Sequence, residues 1–162
     1  KESKKLIYTH FKDLQEGLVV DTFKPHGMLS GDADVELQQQ ALWNVVTETV
    51  FYYDKLHLTE KIFKPILHKH PFVLVSNPHT LPLLHRRGYQ TFHPYIDESY
   101  DTQEDNARRL CMIADEIKRL SMLTDEELSE WQSNVNEICE HNFTTLANSQ
   151  DWYMPLPFDQ SP

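Results

Sequence analysis

The spacing of apolar residues changes twice between residues 43 and 76, and it predicts a strand, a helix and a second strand. Residues 44–53 are rich in Val, Thr, Phe and Tyr, which suit a pleated surface. Residues 71–76 form a short apolar run before the turn signal Asn77-Pro78, as in a strand buried on both faces. Residues 58–70 lie between them and carry apolar side chains at helical spacing. Two strands joined by such a helix predict a parallel βαβ unit.

The segment after the second strand continues this alternation. Residues 81–87 predict a short helix closed by Gly88 at the usual C-terminal position, and residues 89–92 predict a third strand. The resulting βαβαβ order predicts an α/β, Rossmann-like fold with a parallel sheet, whose ligands bind at the carboxyl ends of the strands. Ser76, Asn77 and His79 fall at that edge, and the alternative for each is a plain turn residue.

The last third of the chain is predicted to form two C-terminal helices. An apolar stripe marks residues 103–121, and a capping box of Thr124 and Glu127 opens the second helix. We therefore expect a single domain in four parts: an irregular segment at 1–40, the βαβαβ core at 41–101, the helical part at 102–148 and an apolar tail at 149–162. The tail is predicted to lie across the body or a partner, either a second copy of the chain or a missing acceptor domain.

The net charge of the 162-residue chain is −10, which argues against binding to nucleic acid or to an anionic membrane. The sequence contains no run of about eighteen apolar residues, so no transmembrane helix is predicted. We expect an acidic protein of the cytoplasm, in which Cys111 and Cys139 are free, buried thiols. Arg108 and Arg109 could reach a phosphate, but their place on a helix is more typical of surface charges.

The start of the helix at residues 58–70 carries the candidate chemistry. Thr59 can cap the helix, whose free N–H groups and positive dipole end form an anion site, and Lys61 adds a full positive charge. Glu60 would then point aside and accept hydrogen bonds from a diol such as ribose. Pro65 predicts a kink or a later helix start. The alternative is ordinary N-terminal helix chemistry with a solvated lysine.

An acidic stretch at residues 95–101 leaves two interpretations open. Asp97, Glu98 and Asp101 could hold a metal ion or supply a general base. Alternatively, Asp101 or Thr102 caps the following helix. The nine histidines show no common ligand spacing, so no metal site is expected.

V-T-E-T at 46–49, followed after about ten residues by L-T-E-K-I-F at 58–63, resembles the fucosyltransferase signature. In that signature a strand ending F-E-N-S precedes D-Y-V-T-E-K and a helix. P-F-V-L-V-S at 71–76 is similar to the family's next strand. The chain also looks like uncharacterised glycosyltransferase-like proteins of phages and bacteria, which carry T-E-K-x-F-K-P-I, then P-F and then D-E-S-Y-D. The likeness covers about residues 42–101.

This resemblance implies the donor-binding half of a GT-B-type glycosyltransferase. The donor substrate would be a nucleotide diphosphate sugar, and no cofactor is expected. Carried over by position, Lys61 binds the phosphates, Glu60 binds the ribose hydroxyls, and Glu48 lies near the sugar as the catalytic candidate. Thr59, as the predicted helix cap, and Asn77, at the carboxyl edge of the predicted sheet, are counted with the expected donor-binding residues.

The chain also departs from the family pattern. His57, counted with the donor-binding residues, stands where the family has Tyr, and Leu56 stands where it has Asp. Residues 35–44 lack the Arg or Lys expected to help neutralise the diphosphate. Two alternatives therefore stay open: a non-catalytic binding or structural module, such as a subunit of a viral assembly, and a metal-dependent enzyme built on the three acids at 97, 98 and 101.

Overall fold

A computed structural model describes residues 41–52 and 56–149 of the chain. They contain two strands, β1 (Asn44–Thr47) and β2 (Phe72–Val75), and four helices, α1 (Phe63–Leu67), α2 (Leu81–Arg86), α3 (Asn106–Ser121) and α4 (Asp125–Asn148). Two short 3-10 helices span Glu60–Ile62 and Glu98–Thr102. The predicted N-terminal segment at 1–40 and tail residues 150–162 lie outside the described residues.

The two strands pair in parallel, which confirms the predicted crossover. The register runs from Asn44 opposite Phe72 to Thr47 opposite Val75, and Glu48 N–H extends the ladder by donating to the Val75 carbonyl at 2.9 Å. The first three residues of β2 are buried, as expected for a strand covered on both faces. β1 ends at Thr47, short of the predicted strand through residue 53, so Phe51 and Tyr52 belong to a loop.

The connection between the strands is less regular than the predicted helix over 58–70. It begins as the 3-10 helix Glu60–Ile62 and becomes α-helical only at Phe63. Pro65 accounts for the later start, because an α-helix from Thr59 would need the N–H that proline lacks. The connection ends with Lys69 in the left-handed region, at φ 55°. α1 packs against α4.

The prediction of a third strand at 89–92 is wrong. These residues form no strand, and the described part of the chain has a two-stranded sheet. Gln90 has its backbone groups bonded instead by the buried side chain of Asn142 on α4: Gln90 N–H donates to Oδ1 at 2.7 Å, and Nδ2 donates to the Gln90 carbonyl at 2.9 Å. Residues 41–52 and 56–149 are therefore mixed α/β with one parallel strand pair, and they do not show the predicted βαβαβ order.

The helical elements agree more closely with the sequence. α2 is followed by Gly88 at φ 87°, a conformation that favours glycine. Thr124 and Glu127 form both bonds of the predicted capping box at the start of α4. Cys111 and Cys139 are free, buried thiols on α3 and α4, and burial raises the pKa of Cys139 to about 12. None of the described helices combines the length and apolarity needed to cross a bilayer.

Candidate functional site

A cleft of about 340 Å³ opens at the carboxyl end of β2. Its wall comes from three segments: the loop after β1, the turn after β2 and the start of α3. The lining residues are Phe51, Tyr52, Leu56, Asn77, Pro78, His79, Glu104 and Asn106. The cleft lies at the edge where parallel sheets bind ligands, and Asn77 is the predicted donor-binding residue that lines it.

The turn after β2 is held tightly by its own hydrogen bonds. Asn77 is buried, and its carbonyl accepts from Thr80 Oγ1 at 2.7 Å and from Ser76 Oγ at 3.2 Å. His79 lies at φ 63°, and its N–H donates to the Asp101 carbonyl at 2.7 Å. A left-handed histidine is uncommon, and such backbone strain clusters at functional sites. His79 Nε2 also meets Glu104 Oε1 at 2.8 Å on the rim of the cleft.

Asp101 fixes the same turn from the other side. Its carboxylate accepts from the N–H groups of Thr80 at 3.0 Å and Leu81 at 3.3 Å, so it caps α2 across the loop. The predicted cap of the next helix by Asp101 or Thr102 is wrong, because Asp105 caps α3 by accepting from Arg108 N–H at 2.8 Å. Burial raises the pKa of Asp101 despite these hydrogen bonds.

The two other acids of the stretch at 95–101 also bind backbone and hydroxyl groups. Asp97 accepts from Ser99 N–H at 3.0 Å, whereas Glu98 accepts from Thr91 Oγ1 at 2.7 Å and from Phe92 N–H at 2.8 Å. The three predicted acids therefore point at different segments. Among the described residues, no group of three or more His, Cys, Asp or Glu could hold a metal ion.

Arg109 is the residue that the sequence interpretation missed. It was expected on the surface, but its side chain is buried, and its N–H groups donate to acceptors inside the protein. Nε donates to the Ser76 carbonyl at 3.1 Å, Nη1 to the Gln103 carbonyl at 2.7 Å, and Nη2 to the Phe51 carbonyl at 2.7 Å and to Asn106 Oδ1 at 2.6 Å. One guanidinium thus joins all three segments that form the cleft.

A sequence signal for this burial exists. Arg109 precedes Ile113 by four residues, so on α3 it shares a face with a residue of the core. The predicted stripe left out Arg109. Of its five members, two are buried in the core and three are only partly buried: Ile113 and Leu120, and Leu110, Ala114 and Ile117.

Three of the predicted site residues, Glu48, Thr59 and Lys61, form a second group at the same edge. Glu48 follows β1 and is buried; its Oε1 accepts from Thr59 N–H at 3.0 Å and its Oε2 from Thr59 Oγ1 at 2.7 Å. Thr59 caps the 3-10 helix as predicted, with Oγ1 accepting from Lys61 N–H at 3.4 Å. The Thr59 N–H at this helix start therefore already donates to a carboxylate of the chain, that of Glu48.

The ammonium group of Lys61 has a different environment. Nζ donates to Thr49 Oγ1 at 3.0 Å and to Thr59 Oγ1 at 3.4 Å. Because both acceptors are neutral hydroxyls, its charge is not paired with a carboxylate within the described segments. Glu60 is exposed and His57 half-buried, and neither is among the described residues that line the cleft.

A second cleft, of about 270 Å³, lies at the opposite end of the strand pair. Its lining includes Leu42, His70, Pro71, Gln132 and Cys139. Burial lowers the pKa of His70 here, and the charge of neighbouring His68 lowers it further. None of the predicted site residues lies in this cleft.

Comparisons of the chain with protein-family models, with curated proteins and with solved structures found no match. The resemblance to the fucosyltransferase signature therefore depends on the residues of this chain alone.

Proposed function

We propose that the chain is the donor-binding part of a glycosyltransferase-like protein, with the parallel pair as the core of a Rossmann-like unit. It would bind a nucleotide diphosphate sugar at the carboxyl edge of β1 and β2 and pass the sugar to an acceptor. The observation that carries this proposal is that two features lie at this one edge. One is the cleft, and the other is the ammonium group of Lys61, which is paired with no carboxylate of the described chain.

Lys61 would bind the diphosphate. An ammonium group has three donors, and the two hydrogen bonds of Nζ to Thr49 and Thr59 leave one for a phosphate oxygen. As the sugar leaves, negative charge grows on the diphosphate, and a fixed ammonium group stabilises it most at that stage. Glu60, which is exposed beside Lys61, would accept hydrogen bonds from the ribose.

Glu48 takes a supporting part in this proposal rather than the predicted catalytic one. Both of its carboxylate oxygens are bonded to Thr59, and Thr59 in turn holds Lys61 through its backbone N–H and its ammonium group. Glu48 is thus a positioning residue, which sets the place of Lys61 through Thr59. His57 and Asn77 would be further donor contacts, with Asn77 reached from the cleft that it lines.

The proposal is tested by ligand-induced stabilisation. Binding to the folded state alone raises the free energy of unfolding by about 2.7 kcal/mol when the ligand is at 100 times its Kd. Wild type is heated with and without millimolar nucleotide diphosphate sugars that carry different bases. We expect at least one to raise Tm, and Lys61→Ala to remove most of that rise. Lys118→Ala, which removes an exposed lysine of α3, is the matched control and should keep the rise. Absence of a shift with every donor would overturn the proposal.

The second candidate is a non-catalytic module that binds the same donor. It is favoured by one observation, the burial of Glu48 with both oxygens hydrogen-bonded to Thr59, because a buried carboxylate turned toward its own chain is poorly placed to reach an acceptor hydroxyl. The two candidates differ in turnover alone. Release of nucleoside diphosphate from a bound donor would support the enzyme, and binding without release would support the module.

A further inference from the structure

Tyr52 is an exposed aromatic residue at the mouth of the cleft. Its relative exposure is 67%, which is high for a large apolar ring, and it lines the cleft beside Phe51. The two rings meet edge to face, with centroids 5.0 Å apart and an interplanar angle of 79°. An edge-to-face contact restricts the Tyr52 ring while leaving a face open.

The support of Tyr52 continues into the core through Phe51 and Arg109. Arg109 Nη2 donates to the Phe51 carbonyl at 2.7 Å, and the guanidinium carbon lies 4.4 Å from the centre of the Phe51 ring. The backbone and the ring of Phe51 are therefore both held by one buried side chain. This arrangement keeps an exposed aromatic ring in place before any ligand arrives.

The polar groups of the cleft complement a flat heterocycle. Arginine only donates hydrogen bonds, so the Asn106 atom at 2.6 Å from Arg109 Nη2 is the oxygen, and Nδ2 of Asn106 remains as the donor for another group. Glu104 binds His79 through Oε1, and its other oxygen is an acceptor at the rim. Donor, acceptor and aromatic face together are the groups that recognise a nucleobase.

We infer that this cleft is the nucleobase subsite of the donor, with the base stacked on Tyr52 and its edge bound by Asn106 and Glu104. The inference rests on the proposed function, in which the ligand is a nucleotide diphosphate sugar. It divides the ligand between the two groups of residues: the base lies in the cleft and the diphosphate at Lys61. Arg109 is the positioning residue of the subsite because it holds the backbone next to Tyr52 and the side chain of Asn106.

Calorimetric titration of the full chain tests this division, with the nucleoside diphosphates UDP, GDP and ADP and with inorganic pyrophosphate as probes. Stacking of one base on an aromatic side chain is strong enough that Tyr52→Ala should raise the Kd of the best nucleoside diphosphate by about tenfold or more. Tyr52→Phe keeps the ring and should change that Kd by less than about twofold. Met122→Ala removes another highly exposed apolar side chain away from the cleft and serves as control.

The outcomes separate the inference from the proposed function. Support requires a loss of affinity in Tyr52→Ala, rescue in Tyr52→Phe, and an unchanged affinity of both variants for pyrophosphate. If wild type binds a nucleoside diphosphate and Tyr52→Ala binds it equally well, the inference is overturned while the proposed function stands. An equal loss for pyrophosphate also overturns the inference, because the ring would then not act on the base. If no nucleoside diphosphate binds wild type, both fail.

Discussion

The side-chain amide of Asn142 closes both backbone hydrogen bonds of Gln90, accepting from its N–H at 2.7 Å and donating to its carbonyl at 2.9 Å. A neighbouring β-strand would make the same pair of bonds. Asn142 is buried on α4, so this one side chain ties the segment after α2 to the helical part of the molecule.

We expect Asn142→Ala to lower the free energy of unfolding by about 1–3 kcal/mol, because the partly buried N–H and carbonyl of Gln90 both lose their partner. Urea denaturation measures this change. Asn134→Ala removes an exposed asparagine from the same helix and should leave stability unchanged or slightly raised, since alanine is the better helix former. Equal effects of the two substitutions would show that the Gln90 bonds contribute nothing.

The contribution of buried Arg109 to stability can be compared with that of its exposed neighbour Arg108. Arg109→Met keeps much of the side-chain volume but leaves the carbonyls of Ser76, Gln103 and Phe51 without their donor. We expect a loss of at least about 3 kcal/mol of unfolding free energy, the usual cost of breaking a buried charged network. Arg108→Ala, one residue away and exposed, should change stability by less than about 0.5 kcal/mol. A mild effect of Arg109→Met would mean that other contacts hold the cleft together.

The positioning of Lys61 through Thr59 is tested by Thr59→Val and Thr59→Ser. Valine removes the hydroxyl that bonds Glu48 and caps the 3-10 helix, so we expect a loss of about 1–2 kcal/mol, in the range of a lost N-cap. Serine keeps the hydroxyl and should retain most of the stability. If valine and serine behave alike in thermal and urea unfolding, the Glu48–Thr59 pair is not a structural support.

The buried carboxyl of Glu98 gives a pH dependence with a definite sign. Burial raises its pKa above the ordinary value of 4.5, and the hydrogen bonds from Thr91 and Phe92 oppose this only in part. Between 4.5 and the raised value the folded protein binds more protons than the unfolded chain, so this carboxyl contributes less to stability as pH rises.

Glu98→Gln removes that titration while keeping the side-chain shape. The free energy of unfolding of wild type relative to Glu98→Gln should therefore increase as the pH is lowered from 7 toward 4.5. The buried Asp101, whose pKa is also raised, is present in both proteins, so its contribution cancels in the difference. A relative stability of wild type that falls on acidification would contradict the raised pKa.

Elements governed by neighbouring residues were predictable from the sequence. The apolar run of β2, the parallel crossover, Gly88 after α2 and the Thr124 capping box depend on local patterns, and the structure confirms them. The third strand failed because Asn142, 52 residues away, takes the place of a neighbouring strand. Arg109 has a local signal for its burial, its place four residues before Ile113, but its partner Phe51 lies 58 residues before it. Contacts of that range leave no local signature in one sequence.

The candidate site likewise has one part that the sequence indicated and one part that it did not. Glu48, Thr59 and Lys61 come together as the motif spacing suggested, because parallel pairing places the end of β1 beside the start of the helical connection. The cleft itself, with Tyr52, Glu104 and Asn106, depends on α3 being brought to the strand edge by Arg109. The sequence therefore indicated the charged group but not the cavity beside it.

The most direct test of the central claim is a titration of isotope-labelled wild type with a nucleoside diphosphate, followed by amide chemical shifts. We expect saturable shifts at Asn77, His79 and Asn106 around the cleft and at Lys61. Saturable shifts confined to the opposite cleft, at Leu42, His70 and Gln132, would contradict it, as would a spectrum that does not change at millimolar ligand.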